Sequence, residues 1–151
     1  MIASITAAAG ECDAALAALW VEAWQATMPA IDFDGRRSWI GEELIRLRES
    51  GATVLVAYVA DTPAGFVTVT RLGRVDQLAV ARRYQRHGIG GMLLDAARTC
   101  ASAPLQLTVN ADNAGAVRFY ELEGFVSVGA GVNEASGLPT LFLVERARTT
   151  P

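Results

Sequence analysis

Two spacings alternate along the chain. From Asp13, apolar residues recur as Leu16, Leu19, Trp20, Ala23 and Trp24, one face of a helix capped by Asp13 and ended by Pro29. Asp34 caps a second helix to about Glu49, with Trp39, Leu44 and Leu47 among its apolar positions and Gly51 as its stop. Residues 53–60 form a Val-rich strand run. The turn chemistry of Asp61-Thr62-Pro63-Ala64-Gly65 predicts a hairpin with residues 65–71. Gly73 turns the chain into a strand over 74–80, and a helix is predicted from Gly88 to about Ala101. Pro104 precedes a strand over 105–110, and Asn113 caps a helix ending near Gly124. Strands over 125–133 and 138–145 follow, with Ser136-Gly137 in their turn, and weak alternation over 1–6 reads as an edge strand. The order β-α-α-β-β-β-α-β-α-β-β is mixed α/β.

Composition adds bounds. With 151 residues, 52% of them hydrophobic, the chain reads as a single domain, 1–151, with a sizeable core. No apolar stretch approaches a membrane span, and the start lacks the basic-then-apolar layout of a signal peptide, so no membrane partner and a cytoplasmic location are expected. Thirteen basic against sixteen acidic residues give a net charge of −3, which argues against nucleic acid and suits a cationic amine better. Cys12 and Cys100 match neither metal spacing nor a disulfide framework, and read as small core residues in a reducing compartment. The single histidine, His87, excludes a multi-histidine metal site, and no metal is expected.

The chemistry concentrates after the strand at 74–80. Gln85-Arg86-His87-Gly88-Ile89-Gly90 leads into the amphipathic run Gly91-Met92-Leu93-Leu94. A strand, a glycine loop and a helix start make an anion site, because the first helical N–H groups lack partners and the helix dipole adds positive potential. Glycine at 88 and 90 lets a phosphate approach the backbone, and Arg82, Arg83 and Arg86 add charge. The letters match neither Gly-x-x-x-x-Gly-Lys-Ser/Thr nor Gly-x-Gly-x-x-Gly. One helix and one strand later, Leu107-Thr108-Val109-Asn110-Ala111-Asp112-Asn113 leads into Ala114-Gly115-Ala116-Val117-Arg118-Phe119-Tyr120, then Glu121-Leu122-Glu123-Gly124-Phe125.

The loop resembles the pyrophosphate loop of the GCN5-related N-acetyltransferase (GNAT) family, Gln/Arg-x-x-Gly-x-Gly/Ala, and the second block resembles that family's Asn-x-x-Asn and Phe-Tyr segment. The close resemblance covers residues 75–126; the flanks agree in layout. It implies a central, mostly antiparallel sheet with a splayed parallel pair, flanked by helices, and acetyl-CoA as acyl donor. Gln85, Arg86, His87, Gly88, Ile89, Gly90 and Gly91 would surround the pyrophosphate. Main-chain groups of Leu78, Ala79 and Val80 would hold the pantetheine arm. Asn113, a helix cap in its own right, together with Ala116 and Phe119, would border the cofactor. Phe119 also reads as core, and Arg118 as either phosphate-facing or solvated. His87 has an ordinary pKa near 6.5, which suits a base. It lies on the pyrophosphate side and reads as a loop residue.

Tyr120 is the candidate acid: in relatives this tyrosine protonates the leaving thiolate, and a phenol with pKa near 10 can donate to a thiolate with pKa near 8.5. The alternative is an aromatic anchor between helix and sheet. The base is where the chain departs from relatives that acetylate protein N-termini, since Thr108 stands where those often carry Glu. Asp76 and Glu22 are the remaining candidates, each equally readable as a solvated charge. Trp20, Trp24 and Trp39 read as core or as walls of an acceptor pocket; Asp32 and Asp34 read as turn residues or as attraction for a cation. The implied reaction is direct transfer to a primary amine of a small or amino-acid-like acceptor. A protein N-terminus or lysine as acceptor, a non-catalytic acyl-CoA sensor and another kind of nucleotide-binding domain are the alternatives. A homodimer through the C-terminal strands is compatible with the sequence.

Overall fold

Strands β1 (Ala3–Ala7), β2 (Thr53–Val59), β3 (Thr62–Val69) and β4 (Val75–Val80) pair antiparallel in that spatial order. A second antiparallel sheet has the order β5 (Gln106–Asn110), β7 (Pro139–Glu145), β6 (Phe125–Val132), so the last strand sits in the middle. This computed structural model describes residues 2–146. The sheets meet where β4 and β5 run parallel. Arg74 bridges Gln106, and the Gln106 N–H donates to the Gly73 carbonyl at 2.8 Å. Beyond that bridge the two strands share no ladder. The expected mixed α/β class with a splayed parallel pair is therefore what forms, with the sheet divided in two at the splay.

Among the described residues four α-helices cover the sheets: α1 (Asp13–Thr27), α2 (Arg37–Glu49), α3 (Ile89–Cys100) and α4 (Ala114–Leu122). Alternation along the strands sends Val67, Val69, Leu107, Val109 and Leu143 to a core shared with Leu93, Leu94 and Ala97 of α3 and Tyr120 of α4. That layer spans both sheets. The opposite residues, Val54, Val56 and Phe66, pack under Leu16, Trp20, Ile40 and Leu44 of α1 and α2. The buried cluster on this side draws only on the first sheet. On the other face of the second sheet no buried apolar cluster forms among the described residues; Thr108 is exposed and Phe142 half-buried. No helix among the described residues is long and apolar enough to cross a membrane.

Local expectations are revised in four places. Cys12, not Asp13, holds the cap position of α1, because Arg48 engages both Asp13 carboxylate oxygens at 2.6 and 2.7 Å. A charge-assisted fork outcompetes a neutral N–H for the same oxygens. Asp34 opens a 3-10 turn over Asp34–Arg36 and bonds the Arg37 side chain at 2.8 Å, rather than capping α2. The β2–β3 turn is only Ala60-Asp61, both at positive φ (49° and 63°), so Thr62 and Pro63 already lie in β3. Neither cysteine is core: Cys100 is exposed at the end of α3, and half-buried Cys12 accepts a hydrogen bond from the Tyr58 hydroxyl at 3.6 Å.

Candidate active site

At the open end of the splay, β4 runs into the loop of residues 81–88. The Ala81 N–H donates to Ala64 at 2.8 Å, which closes the β3–β4 ladder. Antiparallel alternation then turns the main-chain groups of Ala79 toward Phe66 of β3 and those of Leu78 and Val80 away from it, into the opening. Of the three residues expected along a pantetheine arm, Leu78 and Val80 therefore carry the outward groups. The Val80 carbonyl accepts from the Gln85 side chain at 3.0 Å, folding the loop back on its strand. The loop's first turn is anchored from α1, where the Glu22 carboxylate accepts the Arg82 N–H at 3.2 Å.

Gly88 holds the cap position of α3 at φ +81°, and nothing lies within 4 Å of where its Cβ would be. The first helical bond is Met92 N–H to Gly88 carbonyl, so the N–H groups of Ile89, Gly90 and Gly91 precede it without a side-chain cap. Ile89 is buried and pins the helix start, while Arg86 and His87 are exposed beside it. Gly90 differs from Gly88. A Cβ there would meet the Phe119 ring at 3.0 Å, so its hydrogen is spoken for by the packing of α3 on α4.

Asn113 caps α4 by accepting the Ala116 N–H at 3.2 Å, which leaves the Asn113 amide NH2 free to act as a donor but engages the Ala116 amide. The helix holds Tyr120 edge-on between Phe119 and Phe125, with centroids 5.1 and 5.5 Å away. Tyr120 is 9% exposed, and this burial pushes its phenol well above the usual range. Its hydroxyl has no hydrogen-bond partner among the described residues, yet no buried side-chain polar atom there is unpaired. The oxygen therefore reaches accessible space.

At the closed end of the splay, β4 carries a bulge. Asp76 and Gln77 stand opposite Thr68, whose fully buried hydroxyl accepts the Gln77 N–H at 2.9 Å. The Gln77 side-chain oxygen accepts the Trp20 indole N–H at 3.1 Å. Asp76 pairs with Arg74 at 3.3 Å. Trp20 lies buried against Trp24, Phe33 and Trp39, and Trp39, expected inside α2's apolar face, is 48% exposed.

The structure thus brings Leu78, Val80, the loop and the start of α3 around one opening, with Asp76 at its root. Glu22 reaches the loop, where its carboxylate accepts the Arg82 N–H. Thr68, Gln77 and Arg74 escaped the sequence reading; the signal for Thr68 was a lone hydroxyl within the apolar run Phe66-Val67-Thr68-Val69. A shallow cavity of about 430 Å³ at the far end of α4, lined by Glu121, Gly124, Phe125, Val126, Ser127 and Arg146, includes none of these groups. Among the described residues no three His, Cys, Asp or Glu side chains are placed to hold a metal ion.

A family model described as an acetyltransferase (GNAT) domain matches residues 37–140. Among solved structures the chain is similar to apo-form YjaB from Escherichia coli, at 29% identity over 95% of this chain and 97% of that one, TM-score 0.72. It shares the fold of PaiA N-acetyltransferase from Thermoplasma acidophilum, solved with coenzyme A, at 20% identity over 97% and 100% of the two chains, TM-score 0.74. It also shares the fold of a GCN5-related N-acetyltransferase from Rhodopseudomonas palustris, at 20% identity over 97% and 99%, TM-score 0.76. No curated protein sequence matches significantly.

Proposed function

The chain belongs to the GNAT acetyltransferase family, and on that premise we propose that it transfers an acetyl group from acetyl-CoA directly to the primary amine of a small, amino-acid-like acceptor. One observation carries the reading. The parallel strands β4 and β5 part beyond Arg74–Gln106, and the uncapped start of α3 stands at the open end of the gap. A thin, extended substrate with an anionic end fits that arrangement. The solved relative from Thermoplasma acidophilum holds coenzyme A, which supports the same donor here.

In this reading the N–H groups of Ile89, Gly90 and Gly91 hold the pyrophosphate, with Arg82, Arg83 and Arg86 adding charge at the rim. Outward main-chain groups of Leu78 and Val80 align the pantetheine arm as an added strand. The acceptor enters beside the exposed Thr108 and the half-buried Phe142 of the second sheet. Its neutral amine attacks the thioester carbon, and the proton it loses goes to water or to Asp76. Main-chain donors near the β4 bulge stabilise the oxyanion. Tyr120, kept protonated by burial, donates to the sulfur as negative charge builds there.

The test is free-thiol release from acetyl-CoA over a panel of amines, amino acids and short peptides. The expected outcome is turnover with one class of small acceptor and a kcat about 10²-fold lower in Tyr120→Phe, with coenzyme A affinity unchanged. Tight acetyl-CoA binding without turnover on any acceptor would replace the enzyme with a sensor.

A further inference from the structure

We propose that Arg74 binds a carboxylate on the acceptor, so that the acceptor is an amino acid or a molecule like one. The inference rests on the acetyltransferase reading of the same groove. Arg74 stands at the root of the splay, where its main chain makes two bonds to Thr70 and its neighbour Gly73 bonds Gln106. Its N–H donates to the Thr70 hydroxyl at 3.0 Å, its carbonyl accepts the Thr70 N–H at 2.9 Å, and it bridges Gln106. The side chain lies over the Phe142 ring, with the guanidinium carbon 5.9 Å from the centroid. Its Nε alone contacts Asp76, at 3.3 Å. The two terminal nitrogens have no protein partner among the described residues, and the side chain is 38% exposed.

A guanidinium over a ring, partly exposed and with its terminal nitrogens unpartnered among the described residues, can take a bidentate carboxylate. Local charge favours that ligand over a dianion. Arg74 already has one carboxylate beside it, Asp76, held through Nε. A zwitterion sets its ammonium beside that carboxylate, whereas a phosphate dianion would be repelled by it. The order from Arg74 into β4 is also suitable. Arg74 comes first, Asp76 next, and the outward edge at Leu78 last. An amino acid with its carboxylate on Arg74 has its amine beside Asp76, on the thioester side.

The experiment compares free amino acids with their amides and decarboxylated amines as acceptors, by thiol release, for wild type, Arg74→Gln and Arg74→Lys. Binding of the same compounds to the coenzyme A complex is followed by calorimetry. The expected wild-type kcat/KM favours the acid about 10- to 100-fold. Arg74→Gln abolishes that preference through KM, leaves the amide within about threefold, and Arg74→Lys, with charge but no fork, recovers part of it. Equal use of acids and amides by wild type, or an equal loss for both in Arg74→Gln, overturns the proposal. Arg74-dependent carboxylate binding without turnover on any acceptor sinks the transfer reading and leaves this one standing. Absence of Arg74 dependence in both assays overturns it.

Discussion

Gly88 and Gly90 stand two residues apart and meet opposite constraints. At Gly88 the backbone is left-handed and the surrounding space is empty; at Gly90 the backbone is helical and the space is filled by Phe119. Gly88→Ala therefore meets strain without collision, and a loss of about 1 kcal/mol is expected in urea titration. Gly88→Asn, which tolerates the left-handed region, should lose less. Tyr120 permits a sharper separation of roles. Its hydroxyl makes no bond among the described residues, so Tyr120→Phe should change stability at pH 8 by less than about 1 kcal/mol while turnover collapses. The raised folded pKa adds a pH signature. Folding favours the neutral phenol, so that contribution is fully present below the unfolded value near 10 and is lost as pH rises beyond it. Denaturant titrations from pH 8 to 11 should show wild type losing stability relative to Tyr120→Phe only at the alkaline end.

The β4 bulge is an element that one buried hydroxyl maintains. Thr68 gives Gln77's N–H an acceptor where the β3–β4 ladder skips, and Gln77 in turn engages Trp20 of α1. Thr68→Val keeps the volume but leaves that N–H unpaired, so a loss of about 1–2 kcal/mol is expected, with Thr68→Ser milder. Equilibrium unfolding reads the stability, and a matching fall in turnover would tie the bulge to the chemistry. Elements of this kind lie below what sequence periodicity resolves. The register of β3 and β4 is visible as two apolar runs, but a skipped rung shows only when both strands are placed. Asp13 makes the same point for helix starts. Its letter and position suit a cap, and the competing partner, Arg48, lies 35 residues away. Asn113 has no such rival, and its cap forms as the sequence implies.

At the scale of the whole molecule, asymmetric coverage creates the groove. The α3–α4 layer backs both sheets, whereas the buried core of α1 and α2 lies on the first alone. The strand–loop–helix order around the start of α3 is contiguous in sequence, and was legible for that reason. The meeting of Arg74 with Phe142 was not, because Phe142 belongs to a strand that enters its sheet last and in the middle. The same layout predicts where a ligand will be felt. Coenzyme A at 100 times its Kd should stabilise the fold by about 2.7 kcal/mol through mass action. Its imprint on amide exchange should be local. Leu78, Val80, Ile89, Gly90 and Gly91 carry N–H groups turned to the opening or left uncapped, and these should slow beyond the global gain. Ala79, bonded across to β3, and the inner strand β7 should gain only the global amount. Uniform slowing over both sets would remove the splay as the binding site. Slowing confined to the α3 start would keep the pyrophosphate contact and discard the strand-like pantetheine arm.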